Sequence, residues 1–147
     1  MTETIVVGYD ADEPAKRALE RAIVEAKAAH ARLLIVSVEA MPLDPYAPAT
    51  FGTLDDSSPV VAPLVEPPEL QRVTNDAVSR AEAEGVPADY LWGAGDPARV
   101  IVDAARDRGA SKIIVGSHHH GLLARLLGED VAGAVKREAD CDVIVVE

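Results

Sequence analysis

The apolar residues of this chain fall into two rhythms. Short β-branched and aliphatic runs at Thr4–Tyr9, Leu33–Val38, Lys112–Gly116 and Asp142–Val146 predict strands buried on both faces, since a face open to water would alternate with polar residues. Asp89–Trp92 is a fifth, weaker run. Between these the period lengthens to that of a helix. Ala15, Ala18, Leu19, Ala22, Ile23 and Ala26 recur at i, i+3, i+4, i+7, i+8 and i+11, which is one helical face. Asp12 is placed to cap that helix, with Glu13 and Pro14 in its first turn. Leu70, Val73, Ala77 and Ala81 predict a second helix over 69–84, closed by Gly85. Ala98, Ile101, Val102 and Ala105 predict a third, opened by Asp96 and Pro97 and stopped by Gly109. Val131, Ala134, Val135 and Ala139 predict the last. The order β-α-β-loop-α-β-α-β-α-β calls for an α/β fold, a parallel sheet with helices on both faces and right-handed crossovers. The 147 residues show no internal repeat and read as one domain, 1–147, able to bury a real core.

One stretch breaks both rhythms. Seven of the ten prolines lie between Met41 and Pro68, and no Lys or Arg occurs between Arg32 and Arg72. Proline at that density excludes a helix or a central strand. The 41–68 segment is therefore a proline-rich loop inside the domain, either a functional lid or a mobile linker. It leaves the C-terminal end of the second strand, the edge at which open α/β sheets bind ligands.

Composition narrows the partners. Hydrophobic residues make up 48% of the chain but aromatics only 3%, so the core is built from Ala, Val, Ile and Leu. A net charge of −11 argues against nucleic acid, whose binding depends on neutralising phosphates with Lys and Arg, and against anionic membrane surfaces. The single cysteine, Cys141, cannot close an intramolecular disulfide. No signal peptide or membrane span is visible, and a cytoplasmic location is expected.

The chemistry concentrates after the fourth strand, in Ile113-Ile114-Val115-Gly116-Ser117-His118-His119-His120-Gly121, followed by a Leu-rich turn, Gly128, Glu129 and Asp130. A buried strand feeding a glycine loop and then a helix presents backbone N–H groups to an anion. This is not a Walker A loop, because Leu122-Leu123 stand where Lys-Ser/Thr is required. Nor is it the dinucleotide fingerprint, whose glycines sit in the first βα turn, here Gly8-Tyr9-Asp10-Ala11-Asp12. The glycines could also serve tight turns alone.

Val7-Gly8-Tyr9-Asp10, Gly95-Asp96-Pro97, Ile114-Val115-Gly116-Ser117-His118, Gly121-Leu122-Leu123-Ala124-Arg125-Leu126-Leu127-Gly128 and Cys141-Asp142-Val143-Ile144-Val145-Val146 together resemble the universal stress protein family, in its single-domain bacterial type. The resemblance covers nearly the whole chain in order. It implies a five-stranded parallel sheet of order 3-2-1-4-5, Rossmann-like and similar to the adenine nucleotide alpha hydrolases. It also implies a homodimer formed through the last strand, and a stress-response role with ATP bound by some members. The nucleotide loop it suggests comprises Asp10, Gly116, Ser117, Gly121 and Gly128, with Mg²⁺ accompanying ATP. Asp10 would contact the nucleoside end.

The family's ATP loop runs Gly-x2-Gly-x9-Gly followed by Ser or Thr, and this chain departs from it. Gly116 matches the first glycine and Gly128 the last, but His119 stands where the second belongs. The first part of the loop is one residue shorter. Glu129 replaces the Ser or Thr, and Asp130 is inserted before Val131. Carboxylates at a helix start cap its free N–H groups. They also repel a triphosphate: like charges ~4 Å apart at an effective dielectric of ~20 cost about 4 kcal/mol. A divalent cation would offset part of that; Asp10 reads equally as a turn or helix-start acid, and a pocket that keeps it could still accept a nucleoside or monophosphate.

Other chemistry is thin. His118, His119 and His120 point in different directions from any regular backbone, so loop histidines exposed to solvent are expected rather than a metal site. Cys141 has no basic neighbour in sequence and reads as a buried structural thiol. No nucleophile elbow, triad order or HExxH motif is present, so no catalytic residue is assigned. Three functions follow: a non-catalytic stress factor with a degenerate nucleotide loop, an ATP-binding switch or weak ATPase, and a protein-interaction module working through the proline-rich loop.

Overall fold

The structure, a computed structural model, describes residues 3–10, 12–40, 68–117 and 131–147. Nine elements follow in chain order: β1 (Thr4–Gly8), α1 (Glu13–Ala29), β2 (Arg32–Ala40), α2 (Pro68–Ala83), β3 (Ala88–Gly95), α3 (Pro97–Arg108), β4 (Lys112–Gly116), α4 (Val131–Glu138) and β5 (Asp142–Val146). The strands form one sheet of order β3-β2-β1-β4-β5, and every neighbouring pair is parallel. β1 lies at the centre, paired with β2 through Val7↔Ile35 and with β4 through Val7↔Ile114. The fold, its strand order and its two helical faces are those expected.

Because side chains alternate across a strand, the doubly apolar runs divide cleanly between two cores. On one face Ile5, Val7, Leu33, Ile35 and Ile114 pack under Ala18, Leu19, Ala22 and Ile23 of α1 and under Ala77 and Ala81 of α2. On the other, Val6, Leu34, Val36, Ile113 and Val115 pack against Ile101, Val102 and Ala105 of α3 and against Ala132 and Val135 of α4. Small alanines on the helices let them lie close to branched residues on the sheet. That is how a chain so poor in aromatics fills its interior.

The helix ends have local causes. Asp12 sits at the N-cap of α1, where its Oδ1 accepts from the Ala15 N–H at 2.8 Å. His30 closes α1 in the left-handed region, φ 52 and ψ 39, a conformation more often taken by glycine. Gly109 closes α3 the same way, at φ 60. Asp96 occupies the N-cap position of α3, but its side chain makes no capping hydrogen bond.

Four details differ from the periodicity. β2 and β3 run longer than their apolar cores. β3 continues through Gly93, where a Cβ would come within 2.6 Å of Val100 Cγ1 on α3, so the small residue admits the helix rather than ending the strand. In α2 Thr74 joins Ala77 and Ala81 as a fully buried position, with Val73 only half-buried. In α4 the buried pair is Ala132 and Val135, while Val131, Ala134 and Ala139 are half-buried. An eight-residue helix can turn only a narrow stripe to the sheet.

Candidate functional site

β1 and β4 are adjacent, yet their chain continues to different places. β1 leads into α1 on one face, whereas β4 is followed, after 118–130, by α4 on the other. Where neighbouring parallel strands part in this way, a crevice opens beyond their C-terminal ends. Here it is a cleft of about 180 Å³, with Gly8, Tyr9 and Asp10 on one side, Val115, Gly116 and Val131 on another, and Val36, Val38, Pro97 and Ile101 completing the wall. Its volume is below the roughly 300–1,000 Å³ of sites that enclose a drug-sized ligand.

The floor is set by two close approaches. A Cβ on Gly8 would lie 2.9 Å from Ile101 Cδ1 and 3.4 Å from Val115 Cγ1. A Cβ on Gly116 would lie 2.6 Å from the carbonyl carbon of Pro14 and 2.7 Å from its oxygen. Gly116 is thus required by the seating of α1 on β4, whatever ligand the loop takes. Ser117 is buried, and its N–H donates to the Val146 carbonyl at 2.8 Å. That N–H extends the β4–β5 ladder and is spent before any phosphate arrives.

Asp10 is the one charged residue among the described residues lining the cleft. It is exposed, and its Oδ1 accepts from the Asp12 N–H at 3.2 Å, a turn that mimics a backbone bend. Behind it, the Tyr9 N–H donates to the Val36 carbonyl at 2.9 Å, and the Tyr9 carbonyl accepts from Ser37 Oγ at 3.0 Å. The Tyr9 phenol is pushed above its usual range by burial first, then by the carboxylates of Asp76, Asp10, Asp12 and Glu20. It stays protonated and is no base near neutrality.

Of the residues expected to hold a nucleotide, the structure brings Asp10 and Gly116 to one cleft and buries Ser117 beyond β4 with its N–H on Val146, while Gly121 and Gly128 lie outside the described residues. So do His118, His119, His120, Glu129, Asp130 and nearly all of the proline-rich loop. Mg²⁺ keeps several waters and asks for one or two carboxylates plus substrate phosphates. Among the described residues the lining supplies one carboxylate, Asp10, and no Lys, Arg or His for phosphate, which by themselves match Mg²⁺–ATP poorly. Among the described residues no group of three or more His, Cys, Asp or Glu is placed to hold a metal ion, and no helix is long and apolar enough to cross a membrane.

Sequence reasoning missed the apolar walls. Val36, Val38 and Ile101 carry no motif, Pro97 drew notice only as a helix start and as part of the Gly95-Asp96-Pro97 turn, and only the strand order would have pointed to the wall they form. At the other end of the sheet a shallow cavity of about 290 Å³ lies between Val102, Ala105, Ile113, Ala139 and Cys141. The Cys141 thiol is half-buried and pushed above its ordinary value, chiefly by burial and then by Asp142 and Asp140. That fits a structural thiol.

The order β3-β2-β1-β4-β5, with helices on both faces and a cleft at the switch point, defines a Rossmann-like α/β protein. The chain belongs to the universal stress protein family, whose model matches residues 1–147. A universal stress protein of Thermus aquaticus is 33% identical to it over 150 residues, 99% of each chain. One from Mycobacterium tuberculosis is 33% identical over 150 residues, covering 98% of this chain and 95% of the relative. Among solved structures, a universal stress protein in complex with cAMP matches with a TM-score of 0.72 at 25% identity, covering 99% of this chain and 96% of that one. A universal stress protein from Archaeoglobus fulgidus shares the fold at a TM-score of 0.71 and 21% identity, over the full length of both chains.

Proposed function

We propose that this universal stress protein is a non-catalytic stress-response factor whose cleft takes a nucleoside or nucleoside monophosphate, cyclic forms included, in preference to Mg²⁺–ATP. The observation that carries the reading is the lining of the cleft. Among the described residues it is apolar apart from Tyr9 and Asp10, the latter a carboxylate suited to accept from ribose hydroxyls, and holds no cation for a polyphosphate. Engagement of the Ser117 N–H by Val146 removes one more donor. The cAMP complex of the structure at 25% identity supports the choice of ligand class. Glu129 and Asp130, read from the sequence alone, add charge of the wrong sign for a triphosphate.

Calorimetric titration with 5′-AMP, cAMP, and ATP with Mg²⁺ tests this. AMP or cAMP is expected to bind at least about tenfold more tightly than Mg²⁺–ATP, a difference near 1.4 kcal/mol. ATP binding as tight as AMP, or no heat from any of the three, overturns the proposal. Replacing Glu129-Asp130 by a single Ser together with His119→Gly is expected to strengthen ATP binding. The same reading makes the protein a homodimer through β5, a half-buried edge strand that among the described residues pairs with β4 alone. An unpaired edge invites a second copy, and a monomer by sedimentation at micromolar concentration removes that part.

A further inference from the structure

Among the described residues the buried polar side chains are Ser37, Thr74 and Ser117. Two of these, Ser37 and Thr74, meet in the otherwise apolar layer between α2 and the sheet, at 1% and 0% exposure. Burying a hydroxyl costs free energy that hydrogen bonds must offset. Valine would fill a threonine site of this kind without that cost, so packing alone does not account for the pair.

The hydrogen bonds give the pair a direction. Ser37 Oγ lies 3.0 Å from the Tyr9 carbonyl oxygen and 3.4 Å from Thr74 Oγ1. A carbonyl can only accept, so the single Ser37 proton goes to Tyr9, and Thr74 donates to Ser37. The chain continues beyond Tyr9. Asp10 follows it and accepts from the Asp12 N–H; Asp12 in turn accepts from the Ala15 N–H of α1. One string of hydrogen bonds thus runs from α2, across the end of β2, through the turn that carries Asp10, to the first turn of α1.

We infer that Thr74 and Ser37 are positioning residues that tie α2 to the β1–α1 turn and hold Asp10 in ligand-ready geometry. The inference rests on the proposed ligand cleft and deepens it. Among the described lining residues Asp10 is the charged one, and the backbone just before it is tied through Ser37 to a helix with no described residue in the lining. Linkage makes the effect reciprocal: a ligand that engages Asp10 steadies α2 in the same measure.

The test combines amide hydrogen exchange of the ligand-free protein with titration by 5′-AMP, on Ser37→Ala, Thr74→Val and Thr74→Ser. Thr74→Val nearly keeps the volume and removes the hydroxyl, so it serves if Ser37→Ala fails to fold. In Ser37→Ala, exchange at the Asp12 and Ala15 amides is expected to rise about tenfold with the Ile114 amide unchanged, the pattern of local opening. AMP affinity is expected to fall about fivefold, the scale of one net hydrogen bond. Thr74→Val should shift both in the same direction and Thr74→Ser should restore them. Unchanged exchange at the turn, or a rise shared equally by Ile114, overturns the positioning role. So does a loosened turn with undiminished AMP binding. A wild-type protein that binds no AMP defeats the proposed ligand instead, and the exchange pattern then decides alone whether the tie exists.

Discussion

The backbone of Pro14, in the first turn of α1, lies so close to Gly116 at the end of β4 that a Cβ there would sit 2.6 Å from its carbonyl carbon. The obstacle is backbone, which cannot swing aside as a side-chain tip can. Gly116→Ala is therefore expected to destabilise the protein by about 1–3 kcal/mol through overpacking, read as a lower urea midpoint. A neutral result would return Gly116 to a role in the ligand loop alone.

The cap of α1 is a second local determinant. Asp12 Oδ1 accepts from the Ala15 N–H at 2.8 Å, and Asp12→Ala leaves that donor without its acceptor. A loss of about 1 kcal/mol is expected, measured by chemical denaturation. Asp12→Ser should recover most of it, since a serine oxygen can cap as well.

Glu25 links α1 to β4. Its carboxylate is held below the ordinary 4.5 by hydrogen bonds from Lys112 first and Arg21 second, at 3.1 Å and 2.9 Å. A depressed carboxyl in the folded state contributes stability that is present above the unfolded value and is lost as pH falls through the folded one. Glu25→Gln should therefore be less stable than wild type at neutral pH, with the gap closing as pH drops below 4.5. A gap that stays constant down through the acid transition would show that Glu25 contributes packing rather than charge.

Cys141 offers a kinetic test. Burial and two flanking carboxylates raise its thiol above the ordinary 9.0, so little thiolate exists near neutrality. Alkylation by iodoacetamide at neutral pH should be slower in the native protein than in urea, and the native rate should climb as pH passes above 9.0. Equal rates in the two states would contradict the half-buried thiol.

Much of the fold was legible along the chain. The face Ala15, Ala18, Leu19, Ala22, Ile23 and Ala26 is buried in full, and β4 and β5 have the expected bounds. Local rules suffice there, because the periods of helix and strand and the preferences of Asp12, Pro97 and Gly109 act within a few residues. Errors arise where a neighbour distant in sequence overrides those rules. Gly93 looks like a strand end until Val100 is brought against it. Thr74 looks like a polar interruption in α2 until Ser37 lies opposite.

The sequence by itself determined which segments become strands and helices, that the sheet is parallel and doubly covered, and, through its resemblance, the family. It also singled out Asp10 and Gly116. The tertiary structure alone decided what those residues face: a cleft walled by Val36, Val38, Pro97 and Ile101, a Ser117 N–H already bonded to Val146, and a turn held from behind by Ser37 and Thr74. The reason is one of range. Hydrophobic period is written in neighbouring residues, whereas a site is made by contacts between distant residues, 9 with 37, 37 with 74 and 14 with 116, which meet only after the sheet has closed around β1.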